Sequence, residues 1–327
     1  MQFIIVIFLG IKIKNQQKQV LGLSVNPIPK NSLLFPKNKT FKYFYEPKPN
    51  STTTVEGEFV TELGYPVGTI IKNDINADGL NQMANYTQGK PKGVYRIITI
   101  GDSFTYGLNV NTQDNYPSQL ENILNQNLKC KNINKFQVMN LGVSGYDISY
   151  AIKRYKLRGQ KYDPDLVLWF IIGPDLTRID ELQIPKSDYY SNLLNRSGEN
   201  DQLMKKGIFY QGWNIALTDI IKTFAGADNI FKIEKKYFLE FNDYYKGPLL
   251  IFNFSPSVKY LAENNSVLND FKNSRKNTLL YDRLINIFTN SENYLKDGHP
   301  STQGYTIIAD DLYNYLTKNN IIPCQKP

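Results

Sequence analysis

Tyr95-Arg96-Ile97-Ile98-Thr99-Ile100-Gly101-Asp102-Ser103-Phe104-Thr105-Tyr106-Gly107 is the stretch on which the fold turns. Its first half is a short β-rich apolar run, and the Gly-Asp-Ser that follows stands where a strand gives way to a helix. A serine at such a turn can face solvent with its own N–H directed at a developing oxyanion. The stretch is not a G-x-S-x-G elbow, because Thr105 occupies the place of the second glycine. Alone, a Gly-Asp-Ser triplet is more often an ordinary turn.

Working outward, the same alternation repeats. Tyr116 to Leu128 carries Leu120, Ile123, Leu124 and Leu128 at helical spacing, and Phe136 to Leu141 reads as a second strand. A helix is expected from about Ile148 to Gly159, then a third strand over Leu166 to Ile172 and a fourth over Leu249 to Phe254. The final helix presents Tyr305, Ile308, Ala309, Leu312 and Leu316 on one face, with Pro300 near its start. Apolar strands alternating with helices imply a parallel sheet covered on both faces.

Between the third and fourth strands the alternation lapses into a polar and aromatic insert, 174–247. Helices are expected there near Trp213 to Phe224 and Ile230 to Tyr245. The insert leaves from the sheet edge where ligands bind in open α/β folds, so it is a candidate lid. Upstream, residues 12 to about 50 are rich in Lys, Asn, Gln and Pro and read as an extended linker. Val55 to Leu63 and Val67 to Lys72 read as two short strands around Gly64-Tyr65-Pro66. The expected organisation is therefore an N-terminal segment 1–14, a linker and small β arm 15–92, a main domain 93–320 and a tail 321–327.

The chain has one histidine in 327 residues, in Asp297-Gly298-His299-Pro300. Serine needs a base to act as a nucleophile near neutral pH, and imidazole's ordinary pKa suits that task. In an extended loop, residues two apart can project the same way. The Asp297 carboxylate could then hold Nδ1–H and leave Nε2 toward the serine. An Asp-capped turn with a surface His is the alternative.

Composition narrows the function classes. The chain is 41% apolar and 21% charged, which is ordinary for a globular protein. Its formal charge of +8 is spread along the chain without the aromatic interleaving of nucleic-acid binders, so no nucleic-acid partner is expected. The apolar run Phe3 to Ile11, followed by Lys12 and Lys14, is too short to span a bilayer. It reads as the remnant of a signal or anchor that begins upstream, or else as a buried strand. The first reading, with membrane association through the N-terminus, is the expectation. Cys130 and Cys324 match no metal-ligand spacing.

From about Tyr95 to Leu316 the chain resembles the SGNH/GDSL hydrolase superfamily. Gly101-Asp102-Ser103-Phe104-Thr105-Tyr106-Gly107 matches the family's first block, and Asn140-Leu141-Gly142-Val143-Ser144-Gly145-Tyr146 matches its second. Asp297-Gly298-His299, with Pro300 and Gly304, matches its last block, as D-x-H in place of the commoner D-x-x-H. The resemblance implies a flavodoxin-like three-layer α/β/α sandwich with a central parallel sheet. It implies a serine ester hydrolase with Ser103 as nucleophile, His299 as base and Asp297 as its partner. Backbone N–H groups of Ser103 and Gly145 would form the oxyanion hole, with no metal or organic cofactor.

One departure stands out. The family's third block reads G-x-N-D, and Gly173-Pro174-Asp175 sets Pro174 where the Asn amide donor belongs. Proline has neither a side-chain donor nor an N–H. Losing one oxyanion donor costs on the order of 10²–10³ in kcat. Thr177 or Arg178 could substitute.

The resemblance also implies that the first and last helices share one face of the sheet. Cys130 and Cys324, which follow them, would then be close enough for a disulfide, in keeping with an extracytoplasmic, membrane-associated or secreted protein. The expected substrate is a small-molecule or glycan ester, or an acylated lipid or envelope component; transfer to a sugar hydroxyl would use the same machinery. The rival is a weak or inactive domain of this fold that binds glycan or protein, for which Pro174 and the aromatics Tyr189, Tyr190, Tyr210 and Trp213 speak.

Overall fold

Strands β3 (Val94–Gly101), β4 (Lys135–Asn140), β5 (Leu166–Phe170), β6 (Leu249–Phe252) and β7 (Thr278–Tyr281) form one parallel sheet in the order β4-β3-β5-β6-β7. The computed structural model describes residues 41–194, 202–253, 258–281 and 290–325. Counted within the sheet the order is 2-1-3-4-5, the flavodoxin-like winding. The apolar run Phe3 to Ile11 lies outside the described residues. The chain divides into two compact units, Met1–Phe44 with Glu181–Ala225, and Tyr45–Asp180 with Gly226–Pro327.

In the larger unit the central strands of the parallel sheet, β3, β5 and β6, are buried on both faces, as their largely apolar sequences require. Ile97, Val138, Leu168, Phe170, Leu250 and Phe252 point to one layer, where they pack against α3 (Tyr116–Asn127) and α9 (Thr302–Lys318). Ile98, Ile100, Met139, Val167, Trp169 and Ile251 alternate to the other face. There they meet α4 (Ile148–Arg154), α7 (Ala227–Glu240) and α8 (Val258–Asn273). Three layers result, with the first long helix and the last on the same side. The outer edge of β4 is closed by side chains: Glu121 accepts from Val138 N, Asn125 from Phe136 N and Gln82 from Asn140 N. An edge so occupied offers no template for further strand pairing.

Cys130 and Cys324 form a disulfide with a Cα separation of 5.1 Å. Beside it Lys131 N–H donates to Gln325 O, and Asn134 N–H donates to Gly93 O just before β3 begins. The bridge therefore lies at the N-terminal edge of the sheet. A disulfide is compatible with an extracytoplasmic location. Among the described residues no helix is long and apolar enough to cross a membrane.

Several elements differ from the sequence reading. The arm is an antiparallel pair, β1 (Ser51–Val55) and β2 (Ile71–Ile75), joined through a short helix α1 (Glu58–Glu62). Past Val55 the stretch to Leu63 is not a strand because its buried residues, Val60 and Leu63, are three apart and lie on one face of a helical turn. The helix expected to reach Gly159 is α-helical only to Arg154 and continues as a π turn over Tyr155–Gly159. β7 and α8 were not anticipated.

The smaller unit holds α5 (Asp180–Leu194), whose first residue belongs to the larger unit, and α6 (Gln202–Thr223). α5 was not anticipated either. Tyr190, Ile215 and Ala216 are buried between these helices, and Lys186 pairs with Asp219. A Cβ on Gly212 would fall 2.2 Å from Ser191 Oγ, so glycine permits their close approach. Tyr189 meets Tyr190 edge-on, and Trp213 stacks on Phe209. The side chain of Tyr210 lies outside the described residues.

Candidate active site

β3 ends in a turn that only glycine fits. A Cβ on Gly101 would lie 2.4 Å from Thr105 Oγ1 and 2.6 Å from Phe170 O. Asp102 then caps a one-turn helix, α2 (Ser103–Tyr106), its Oδ1 accepting from Phe104 N at 2.9 Å. Ser103 is the first residue of that helix, where N–H groups have no intrahelical acceptor. The side chain of Asp102 also accepts from Ser103 Oγ at 3.3 Å. Burial raises the pKa of Asp102, against the opposing pull of the Arg178 cation.

From the far end of the chain, the loop before α9 brings His299 to this serine. Gly298 takes a left-handed φ of +91° and reverses the chain between Asp297 and His299. The turn is held by His299 N–H to Asp297 Oδ1 at 3.2 Å and by Leu295 N–H to His299 O at 2.7 Å. His299 Nε2 lies 3.0 Å from Ser103 Oγ, and Nδ1 lies 3.1 Å from Asp297 Oδ2. The second contact is close enough for an ion pair, but its N–H direction misses hydrogen-bond alignment. The Phe104 ring packs beside the imidazole, with centroids 5.1 Å apart.

Asn109 was not singled out from sequence. Its Nδ2 donates to Asp297 Oδ2 at 2.7 Å, and its own carbonyl accepts from Tyr65 OH at 2.9 Å. It sits at φ +65°, a conformation Asn tolerates better than most residues. That tolerance was the only local signal, and it does not name a partner.

The second block forms the neighbouring loop. Asn140 Oδ1 accepts from Gly142 N at 3.0 Å, and its Nδ2 donates to Tyr106 O at 3.2 Å. A Cβ on Gly142 would sit 2.4 Å from Tyr106 N, so glycine lets this loop press against α2. Val143 N–H donates to Gly101 O at 3.2 Å, which sets the loop beside the serine turn. Gly145 follows at φ +84°, and Tyr45 OH donates to Ser144 O at 2.5 Å.

The third block is a single 3-10 turn, Gly173–Leu176. Pro174 is exposed in it and offers no donor. Both expected substitutes make hydrogen bonds elsewhere. Thr177 Oγ1 donates to Pro174 O at 3.3 Å. Arg178, buried, directs Nη2 to Tyr146 O at 2.5 Å and to Asp175 Oδ1 at 2.6 Å.

Around Arg178 lies a set of buried carboxylates: Asp102, Asp147, Asp175, Asp180 and Glu234. Burial disfavours the Arg178 charge, but Asp180, Asp175, Asp102 and Asp147 outweigh it and raise the guanidinium pKa. Burial, reinforced by neighbouring negative charge, pushes Asp175, Asp180 and Glu234 well above the usual carboxylate range. Among the described residues no three His, Cys, Asp or Glu side chains are arranged to hold a metal ion.

Ser103, His299 and Asp297 thus meet in one place, with the Gly145 loop tied to the same turn. Chemically, the arrangement suits transfer of the serine proton to Nε2 while a carboxylate holds the other ring nitrogen.

Residues 99–307 match the GDSL-like lipase/acylhydrolase family, over more than half of the chain. A comparison with curated proteins finds no match. Among solved structures, the chain is similar to the lipase/acylhydrolase from Enterococcus faecalis at 14% identity and a TM-score of 0.43, covering 69% of this chain and 96% of that one. It is similar to the Clostridium thermocellum family 3 carbohydrate esterase at 17% identity and a TM-score of 0.37, covering 71% and 99%. A third is the acetyl xylan esterase Est2A from the rumen bacterium Butyrivibrio proteoclasticus, at 11% identity and a TM-score of 0.38, covering 71% and 65%. The chain belongs to the GDSL-like lipase/acylhydrolase family and is a carboxylic ester hydrolase.

Proposed function

We propose that the chain removes acyl groups from esters by Ser–His–Asp catalysis. Ser103 Oγ attacks the ester carbonyl carbon while His299 Nε2 takes its proton. The tetrahedral intermediate collapses, His299 returns that proton to the departing alcohol, and an acyl-serine remains. Water, deprotonated by the same imidazole, then releases the carboxylic acid and restores Ser103. Asp297 fixes the ring and balances the imidazolium. The N–H groups of Ser103 and Gly145 stabilise the oxyanion.

The 3.0 Å approach of His299 Nε2 to Ser103 Oγ carries this reading. Catalytic hydrogen bonds of this kind tighten in the substrate complex, so the looser Nδ1–Asp297 contact fits as well. We take the substrate to be an O-acyl or O-acetyl ester of a glycan, a lipid or an envelope component, a choice that rests on the family, and the setting to be extracytoplasmic.

Turnover of p-nitrophenyl acetate by wild type and Ser103→Ala tests the chemistry. Wild-type turnover that disappears in the variant supports it, and equal rates contradict it. Pro174 favours a second reading, a catalytically weak domain of this fold whose main task is to bind an ester-bearing glycan. Turnover near the limit of detection across nitrophenyl and acetylated-glycan esters, with retained glycan binding, would select that reading.

A further inference from the structure

The Ser144–Gly145 peptide is the amide whose N–H the proposed mechanism uses. In a trans peptide the C=O and N–H point to opposite sides, and among the described residues no peptide bond is cis. The group bonded to Ser144 O therefore sits at the far end of the same amide dipole. That group is the Tyr45 hydroxyl, at 2.5 Å. A hydrogen bond to a carbonyl oxygen draws amide electron density toward oxygen and leaves the N–H a stronger donor. It also fixes the plane of the peptide, which sets where that N–H points.

Tyr45 is held in place independently of this bond. Its ring lies edge-on to Tyr146 and Tyr150, with centroids 5.3 Å and 6.2 Å away. Its own carbonyl accepts from Tyr146 OH. The next residue, Glu46, pairs with Arg154 and, at 2.8 Å, with Arg158. On the other flank of Gly145, Arg178 Nη2 holds Tyr146 O. The carbonyls of the residues before and after Gly145 are thus pinned, one by Tyr45 and one by the buried guanidinium.

Glycine at 145 fits this arrangement doubly. It adopts φ +84°, and a Cβ there would fall 2.7 Å from the Tyr45 hydroxyl. Ring packing alone explains a Phe at position 45. It does not explain a hydroxyl aimed at the one carbonyl that shares an amide with the oxyanion donor.

We propose that Tyr45 is a positioning residue that orients and polarises the Ser144–Gly145 amide, strengthening an oxyanion hole that lacks a donor at Pro174. The proposal rests on the triad mechanism above. Its test is Tyr45→Phe, which keeps the ring and removes only the hydroxyl.

On p-nitrophenyl acetate, kcat should fall by roughly threefold to tenfold, a fraction of what a whole donor supplies. KM should stay within about twofold, since the interaction strengthens in the transition state. Affinity for a boronic acid that forms a tetrahedral adduct with the serine should fall by the same factor as kcat/KM, with the thermal midpoint unchanged. A 3-fluorotyrosine at position 45, a stronger donor, should match or exceed the wild-type rate at slightly acidic pH. Wild-type kcat and boronate affinity in Tyr45→Phe would overturn the proposal. So would a loss accompanied by a lowered midpoint and unchanged boronate affinity, which marks a purely structural role. Undiminished turnover in Ser103→Ala would instead overturn the triad mechanism, so the two failures are distinguishable.

Discussion

His299 Nε2 stands 3.0 Å from Ser103 Oγ although 196 residues of chain separate them. The parallel sheet makes this meeting possible. Ser103 leaves the C-terminal end of β3, a central strand, and His299 enters α9, which packs on the face that also holds α3. No second imidazole exists in the chain to take over the role of His299.

Asp297 is held by Asn109 as well as by the imidazole. Asp297→Asn should lower kcat by about 10³–10⁴ on an activated ester, because the ring loses its orienting charge. Asn109→Ala leaves that charge and loosens its placement, so a loss of about tenfold in kcat with little change in KM is expected. Steady-state kinetics on both variants check this. An Asn109→Ala enzyme with wild-type kcat would remove Asn109 from the machinery.

Pro174, which the resemblance sets at the Asn of the family's third block, offers no donor. Pro174→Asn should raise kcat by about tenfold, part of what a fully organised donor supplies. Unchanged or lower kcat, with the fold intact by circular dichroism, would mean that the two backbone donors already suffice.

Much of the fold was legible because Leu166 to Ile172 and Leu249 to Phe252 are uninterrupted apolar runs, while Ile97 to Ile100 and Val138 to Leu141 are each broken by one polar residue, Thr99 and Asn140. Burial on both faces of a parallel strand demands that pattern. β7, an edge strand, escaped because Thr278–Tyr281 is buried only at its two ends and lacks the wholly apolar run that marks the equally short β6. Pro185 inside α5 disguised that helix, since an interior proline usually ends one. In the arm, Ser51–Val55 is mostly exposed and shows no apolar alternation that would mark a strand, although its Thr residues favour extended backbone. At the site, the meeting of Ser103, Asp297 and His299 could be anticipated because the proposed chemistry demands those residue types. Asn109 and Tyr45 could not, because their contacts are made across the fold and carry no local pattern, and Arg178 was read only as a substitute donor.

Glu234 is fully buried, and among the described residues neither carboxylate oxygen has a hydrogen-bond partner. Burial and the negative charges of Asp147, Asp180 and Asp175 raise its pKa well above the usual range, with Arg178 opposing them. Its contribution to stability is complete below the unfolded value of about 4.3 and is lost as pH rises through the native value. Glu234→Gln removes that dependence, so relative to wild type it should gain stability between pH 5 and pH 8. Urea melts at the two pH values measure this. A pH-independent difference would contradict it.

The Cys130–Cys324 bridge closes a loop of 194 residues in sequence separation at the sheet edge away from Ser103. Replacing both cysteines with serine should lower stability by about 2–4 kcal/mol while leaving kcat at 25 °C unchanged. Denaturant melts and initial rates on the double variant check the two parts separately. A loss of kcat without a loss of stability would contradict this assignment.

Fluorophosphonate labelling with the modified residue mapped by mass spectrometry tests the triad most directly. One adduct per chain, on Ser103, is expected in wild type, with none in Ser103→Ala. In His299→Ala the labelling rate should drop by at least about 10³, because no other base can activate the serine. Equal labelling of wild type, Ser103→Ala and His299→Ala, or an adduct on a different residue, would contradict Ser–His–Asp catalysis in this protein.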